Sequence, residues 1–321
     1  MGNHALSTNA GVFRHADLEI TTHGSDWYFT VCSVMGFSTL CVMAHAFTKP
    51  QPQRFFHYIT SILLFVAAIA YFSMGSNLGQ VPVRAEFMRP GDGEVFAAGT
   101  REIFYARYID WVITTPLLLV DLLVTAGVPW PTIIVTILAD EIMIVCGLIG
   151  ALVQTTYKWG YWTFGMIAFF YVVYVLLVHG RKGANAFGGA VKTTYYTCGV
   201  VLVVVWFLYP IAWGVGEGGN VIHPDSEAIY YGILDLIAKP VFSFILLRGH
   251  RNIDMNTLGV YVPAVGAAAA MGESKKHHHH HHNGHHNTAA GTVQQPQAAY
   301  TSGANTGVGP QSTAATHTSA A

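Results

Sequence analysis

The sequence predicts an all-α membrane protein: a bundle of seven transmembrane helices, N-terminus outside and C-terminus in the cytoplasm. Three observations predict this class. Of 321 residues, 52% are hydrophobic and only 10% charged, whereas soluble domains carry about 25% charged residues. Seven apolar runs of about 20 residues follow one another, each long enough to cross a bilayer as a helix. The basic residues of the short loops are also biased to one side, and that bias sets orientation. A net charge of -1 gives no reason to expect nucleic acid as a partner.

Residues 1–25 are polar and read as an external arm without the basic start and apolar core of a cleavable signal. The first helix is expected from about Trp27 to Phe47, stopping before Lys49-Pro50, and the second from about Phe55 to Leu78. The polar loop that follows holds Pro82, Arg84, Glu86 and Arg89, and its Pro90-Gly91-Asp92-Gly93 run is a turn signal for a small hairpin. The third helix is expected over about Thr100–Thr125, the fourth over Thr132–Gln154 and the fifth over Trp159–Val178. The sixth spans about Thr193–Gly214 and the seventh about Ala228–Arg248, so the bundle occupies residues 26–250.

Lys49, Arg54, Arg181, Lys182, Lys192, Arg248 and Arg251 fall on one side of this arrangement. Arg14, Arg84, Arg89, Arg101 and Lys158 fall on the other, diluted by acids, so the first side is cytoplasmic. Residues 251–321 form an Ala-, Gly-, Thr-, Gln- and His-rich tail that cannot bury a core and is expected to be disordered. Its His277–His282 run reads equally as an inserted tag or a native low-complexity stretch. Cys32, Cys41, Cys146 and Cys198 all lie in apolar runs, with neither metal spacing nor a disulfide framework, and read as small hydrophobes. No metal site is expected.

Ionisable residues inside apolar helices are costly, and they mark function by default. Asp235 and Lys239 are such a pair at i and i+4, one turn apart on one face. They read either as a structural ion pair or as a lysine carrying an aldehyde as a Schiff base with Asp235 in its counterion. On the third helix Asp110 and Asp121 differ by only about 20° in direction and stand about 16 Å apart along the axis. Thr114 lies on that face between them, and Arg107 one turn toward the outside. A polar seam between helices is the alternative, but acids at both ends of an apolar helix favour a proton relay. Arg107 is expected to balance Asp110 and Asp235 and hold them ionised. Asp121, among Leu117, Leu118, Leu119, Val120 and Leu122, has no cation nearby in sequence and is expected to rest protonated. Opposite resting states on opposite sides of one cation define Asp110 as acceptor and Asp121 as donor, with outward proton flow.

Asp140 on the fourth helix is expected to be a neutral carboxyl bonded to a hydroxyl of the third; Glu141, turned about 100° from it, takes no role. Trp206, Tyr209, Pro210 and Trp213 share one face of the sixth helix. They read as a packing stripe or, with Trp111 and Trp162, as walls for a flat polyene. Pro210 is expected to kink its helix and free a carbonyl.

Arg107-Tyr108-Ile109-Asp110-Trp111-Val112-Ile113-Thr114-Thr115-Pro116 and Asp235-Leu236-Ile237-Ala238-Lys239 together resemble the microbial rhodopsins, the seven-helix retinal proteins, and among them fungal relatives of bacteriorhodopsin. The match covers about residues 26–250. The resemblance implies all-trans retinal bound covalently at Lys239, with Asp110 as primary counterion and acceptor and Asp235 as second counterion. It implies that Asp121 reprotonates the Schiff base from the cytoplasmic side, with Thr60 as its hydroxyl partner, and that Glu217 and Glu227 form an external release pair. The loop near Glu217 is one residue shorter than the family pattern. Tyr71 and Tyr209 resemble tyrosines that bond near Asp235. Trp111, Trp206 and Trp213 resemble the ring sandwich around retinal, with Thr114, Met143, Trp162 and Pro210 also among the cofactor contacts. Thr115 and Asp140 resemble a link between the third and fourth helices, and Leu118 a colour-tuning position. Gly165 and Met166 depart from the small polar residues of some relatives near the ring end.

The implied function is a light-driven outward proton pump of the plasma membrane rather than an enzyme. Light isomerises retinal to the 13-cis form, Asp110 takes the proton and Asp121 restores it. A chloride pump is disfavoured by the acid at Asp110. The main alternative is a sensory or auxiliary photoreceptor with a slow cycle and little transport; a retinal-free transporter or receptor is another. The implied partners are the lipid bilayer and the transported proton, with a homo-oligomer left open.

Overall fold

The computed structural model describes residues 2–12, 14–87 and 99–258. These lie in one compact unit, Met1–Ala268, while a second unit, Ala269–Ala321, lies wholly outside the described residues, as does the histidine run of the expected tail.

Seven helices among the described residues are long and apolar enough to cross a membrane. They are α1 (Thr22–Phe47), α2 (Phe55–Gly75), α3 (Tyr105–Thr125), α4 (Trp130–Leu152), α5 (Lys158–Phe187), α6 (Gly189–Gly218) and α7 (Pro224–His250). Leu63, Leu64, Leu118, Leu119, Leu122, Phe242 and Leu246 pack inside the bundle. Phe37, Leu40, Phe65, Ile142, Phe164, Ile167 and Phe244 point outward and are exposed. A helix apolar on its outer face as well as its inner one suits lipid rather than water.

Most boundaries move by two to five residues for visible reasons. The α1 helix starts at Thr22, inside the expected arm, because the Thr21 side chain caps it by accepting from His23 N at 3.2 Å. The α2 helix stops at Gly75, where Asn77 turns to a left-handed φ of 58°. The α7 helix starts at Pro224, a residue pre-set for the first helical position.

Two differences change what the residues form. The third helix begins at Tyr105, not Thr100, because Thr100–Ile103 is a strand, β2, paired antiparallel with β1 (Val81–Arg84). Val81 faces Ile103 and Arg84 faces Thr100. The expected hairpin therefore exists, with ends wider than the loop composition indicated, and its Pro90-Gly91-Asp92-Gly93 turn lies outside the described residues. The fifth helix runs beyond Val178 to Phe187, so Arg181 and Lys182 ride on helix rather than loop. It continues through a π-helical turn, Val175–Gly180, in which Tyr195 OH donates to Leu176 O at 2.6 Å. It ends only where Gly188 takes a φ of 68°.

Two further π turns lie at Gly214–Gly218, carrying Glu217, and at Ile237–Val241, carrying Lys239 and Pro240. Proline has no N–H to give the preceding turn, and the wider π turn absorbs that break; such turns are frequent at functional sites.

Candidate functional site

Lys239 is 1% exposed at the centre of the bundle. Its Nζ donates to Asp110 Oδ2 at 2.7 Å and to Asp235 Oδ1 at 2.9 Å. Two tyrosines fix the second carboxylate: Tyr71 OH donates to Asp235 Oδ2 and Tyr209 OH to Asp235 Oδ1, both at 2.6 Å. Asp235 is thus fully engaged, whereas Asp110 receives one bond from Lys239 and lies against Thr114, whose hydroxyl donates to Asp110 O at 2.9 Å. Four helices, α2, α3, α6 and α7, converge on one buried amine.

An apolar cavity of roughly 780 Å³, including its open mouth, runs from Lys239 into the bundle. This is within the range of small-ligand sites. Trp111, Thr115, Leu118, Met143, Trp162, Trp206, Tyr209, Pro210 and Trp213 line it with Lys239, as expected. Thr114 and Tyr71 lie outside this lining: Thr114 donates to the Asp110 backbone carbonyl, and Tyr71 to the Asp235 carboxylate, as the resemblance implies for Tyr71. Tyr108, Gly147, Phe169 and Tyr231 line it without having been singled out. Two indoles are tied to backbone, Trp162 Nε1 to Pro210 O at 3.4 Å and Trp213 Nε1 to Gly147 O at 3.1 Å. Gly165 lines the cavity against α4, where an added Cβ would stand 3.4 Å from Met143 O, an ordinary contact. Thr115 Oγ1 donates to Asp140 Oδ2 at 2.6 Å, joining α3 to α4.

Arg107 differs from expectation. Its NH1 donates to Glu227 Oε1 at 2.8 Å and Glu217 Oε1 at 3.2 Å, and its NH2 to Tyr28 OH at 2.8 Å. It therefore balances the two glutamates, while Lys239 is the cation between Asp110 and Asp235. A wheel drawn on one helix gives the direction of Arg107 but not what the other helices present there. Both glutamates come together at this end: Tyr231 OH donates to Glu217 Oε2 at 2.9 Å, and Arg101 NH2 to Glu227 Oε2 at 2.7 Å. Arg101 was read from sequence as a loop charge. It is 2% exposed and also binds Asn220 Oδ1 and Ile222 O, at 2.7 and 2.8 Å. Beside it on β2, Glu102 is buried and accepts from Ile20 N at 2.9 Å. Burial above all, helped by the charges of Glu19 and Glu227, pushes its carboxyl up to about 8.

At the other end of α3, Asp121 is fully buried among Leu118, Leu119, Leu122 and Leu123. Its one hydrogen-bonding side chain is Thr60, whose hydroxyl donates to Asp121 Oδ2 at 3.4 Å. Thr125 Oγ1 donates to Asp121 O at 2.6 Å. The arrangement offers a buried amine with two unequal carboxylate partners, a cluster of two arginines and two glutamates at one end, and an isolated acid on the other side.

A family model described as bacteriorhodopsin-like protein matches residues 23–253. The opsin-like protein carO of Fusarium fujikuroi is 55% identical over 262 residues, covering 81% of this chain and 85% of that protein. Among solved structures, the light-driven proton pump rhodopsin of Coccomyxa subellipsoidea is similar at 38% identity and a TM-score of 0.68, covering 73% of this chain and 99% of that one. A light-driven proton pump from Leptosphaeria maculans is similar at 33% identity and a TM-score of 0.68, with 74% and 99% covered.

Proposed function

Because the chain belongs to the bacteriorhodopsin-like family of integral, multi-pass membrane proteins, we propose that it is a light-driven outward proton pump with all-trans retinal on Lys239. One observation carries this reading: a buried amine bridges Asp110 and Asp235 at the closed end of an aromatic cavity, while Asp121 stands apart on the same helix. The likeness to two solved light-driven proton pumps supports it.

The cavity fits a long apolar aldehyde. Trp111, Trp206 and Trp213 supply flat walls, Gly165 and Met166 the far end, and Lys239 the nucleophilic amine. When bound as a Schiff base at Lys239 Nζ, retinal supplies absorption of visible light and an isomerisation that re-aims the nitrogen. Asp110 Oδ2, 2.7 Å from Nζ, is the base that accepts the proton held there. Asp235 stays the fixed counterion, because the hydroxyls of Tyr71 and Tyr209 occupy both of its carboxylate oxygens. Arg107, held between Glu217, Glu227 and Tyr28, answers the change of charge at Asp110, and the glutamates release a proton outward. Asp121 resupplies the amine from the other side. The leucines around it exclude water and keep the two half-paths apart.

The orientation belongs to the same reading. Arg101 and Lys158 are internal rather than loop charges, one bound to Glu227 and the other 3.8 Å from Glu86. Without them the excess of exposed basic residues at the Arg181, Lys182, Lys192, Arg248 and Arg251 end is larger. That end is cytoplasmic, residues 1–25 begin outside, and 251–321 form a cytoplasmic tail.

The test is light-induced pH change in an unbuffered suspension of cells expressing the chain with all-trans retinal, with and without a protonophore. Acidification abolished by the protonophore, and lost in Lys239→Ala together with the colour, is expected. A coloured protein that moves no protons would overturn the pump and favour a photoreceptor with a slow cycle. Colour retained in Lys239→Ala would overturn the attachment site.

A further inference from the structure

Three histidines cluster at the end of the bundle opposite the β hairpin, and the pump reading uses none of them. His45 on α1 is exposed, His57 on α2 is buried, and His250, the last residue of α7, is buried. His57 Nε2 lies 3.0 Å from His45 Nδ1, so one proton is shared between the two rings. His250 packs on Phe56, the neighbour of His57, with ring centroids 4.0 Å apart. Among the cations at this end, Arg54 Nε donates to Lys49 O at 2.8 Å, and Arg248 and Arg251 flank His250 in sequence. Arg54 NH1 reaches Tyr58 OH at 3.4 Å. The acid on the inner side is Asp121, and Cys198 of α6 faces Asp121.

The hydrogen bonds of His250 are specific about protons. Nδ1 lies 2.7 Å from Leu246 O, a carbonyl that can only accept, so Nδ1 carries a hydrogen. Nε2 lies 3.1 Å from Thr125 Oγ1, whose single hydrogen is also aimed at Asp121 O at 2.6 Å. With a neutral ring, Thr125 must abandon one of these acceptors. With a hydrogen on both nitrogens all three bonds are made at once: Nδ1 to Leu246, Nε2 to Thr125, Thr125 to Asp121 O. Nε2 is therefore the nitrogen able to take up a proton, one hydroxyl away from the backbone of the buried acid that must be recharged.

We propose that His45, His57 and His250 form a proton-loading relay that recharges Asp121 from the cytoplasmic side, with His250 as its last station. This rests on the pump reading. A proton from solvent enters at the His45–His57 pair and moves to His250 Nε2, giving the imidazolium. It then leaves to the ionised Asp121 carboxylate, which returns as the neutral acid, and His250 returns to the neutral ring. The transfers from His57 to His250 and from His250 to the Asp121 carboxylate need a bridging water each.

The test uses the full chain with all-trans retinal in vesicles, excited by a flash. Proton uptake is read with a pH-indicator dye, and recovery of the protonated chromophore by visible absorbance. His250→Gln and His57→Gln remove the titrating ring. Each is expected to slow uptake by roughly tenfold or more, within the range of general acid–base effects, with an unchanged dark colour. Added imidazole is expected to restore the rate. Dark-state 15N spectra are expected to show His250 protonated at Nδ1 and bare at Nε2. Uptake as fast in both variants as in the parent chain overturns the relay. So does slowing that imidazole does not relieve, or the opposite His250 tautomer. A parent chain that takes up no proton at all would instead overturn the pump reading itself, and the relay with it.

Discussion

Replacing Glu102 with glutamine should remove a pH dependence built into the outer cap. Glu102 lies on β2, outside the spans, and its carboxyl is pushed from 4.5 up to about 8, chiefly by burial. The folded chain thus holds this proton more tightly than the unfolded chain. The stability it contributes is fully present below pH 4.5 and is lost as the pH rises to about 8. At about 1.4 kcal/mol per pH unit, the interval from 4.5 to about 8 is worth up to about 5 kcal/mol. For a chain of this size that is on the order of 10 °C in Tm. Glu102→Gln keeps an oxygen to accept from Ile20 N and cannot ionise. Thermal unfolding in detergent, followed by tryptophan fluorescence from pH 5 to pH 9, should show the parent chain losing Tm toward alkaline pH and the variant losing much less. Infrared titration of the protonated carboxyl band supplies a second reading, since one band titrating near pH 8 should vanish in the variant. Parallel Tm curves, with no missing band, would refute the argument.

Three further outcomes follow from single contacts. Thr115→Val leaves the Asp140 carboxyl buried without its 2.6 Å donor and should cost about 1–3 kcal/mol, while Thr115→Ser should not; equal melting of the two would contradict this. Arg101→Gln strips Glu227 of one buried cation and should destabilise by about 3–5 kcal/mol, measurable in the same melts. In Gly216→Ala the new Cβ would stand 2.6 Å from Glu227 Oε2; Glu227 must move, and its carboxylate infrared band should shift while the melting point falls.

The residues legible from sequence were those whose signal is local. Lys239, Asp235, Asp110 and Asp121 stand out because each is a charge in an apolar helix, and the cost of burying a charge is readable one residue at a time. The seven spans were legible for the same reason. Arg101 was not, because an arginine beside a turn looks like a loop charge and its partner Glu227 is 126 positions away. Arg107 was assigned the wrong carboxylates because helical phase fixes direction on one helix without saying what α7 and the Gly214–Gly218 turn bring to it. Thr100–Ile103 was absorbed into the helix after it; its strand exists through pairing with Val81–Arg84 and the bridge from Leu18 to Arg101, contacts that no local pattern carries. The π turns left no trace in hydrophobic spacing, yet two of them carry Glu217 and Lys239.

The separation of Asp110 and Asp121 along α3 also has an electrical consequence. Eleven residues at 1.5 Å each span about 16 Å, roughly half of a hydrocarbon core about 30 Å thick. A proton passed from the level of Asp121 to that of Asp110 therefore crosses about half of the membrane potential. At about 2.3 kcal/mol per charge per 100 mV, this one passage works against about 1.2 kcal/mol, close to a tenfold bias in its equilibrium. Glu217 and Glu227, clustered at the outer end with two arginines, cross a smaller share of the field. On the proposed pump reading, back-pressure from a charged membrane falls most heavily on the leucine-lined stretch around Asp121, and the current–voltage curve takes its slope from there.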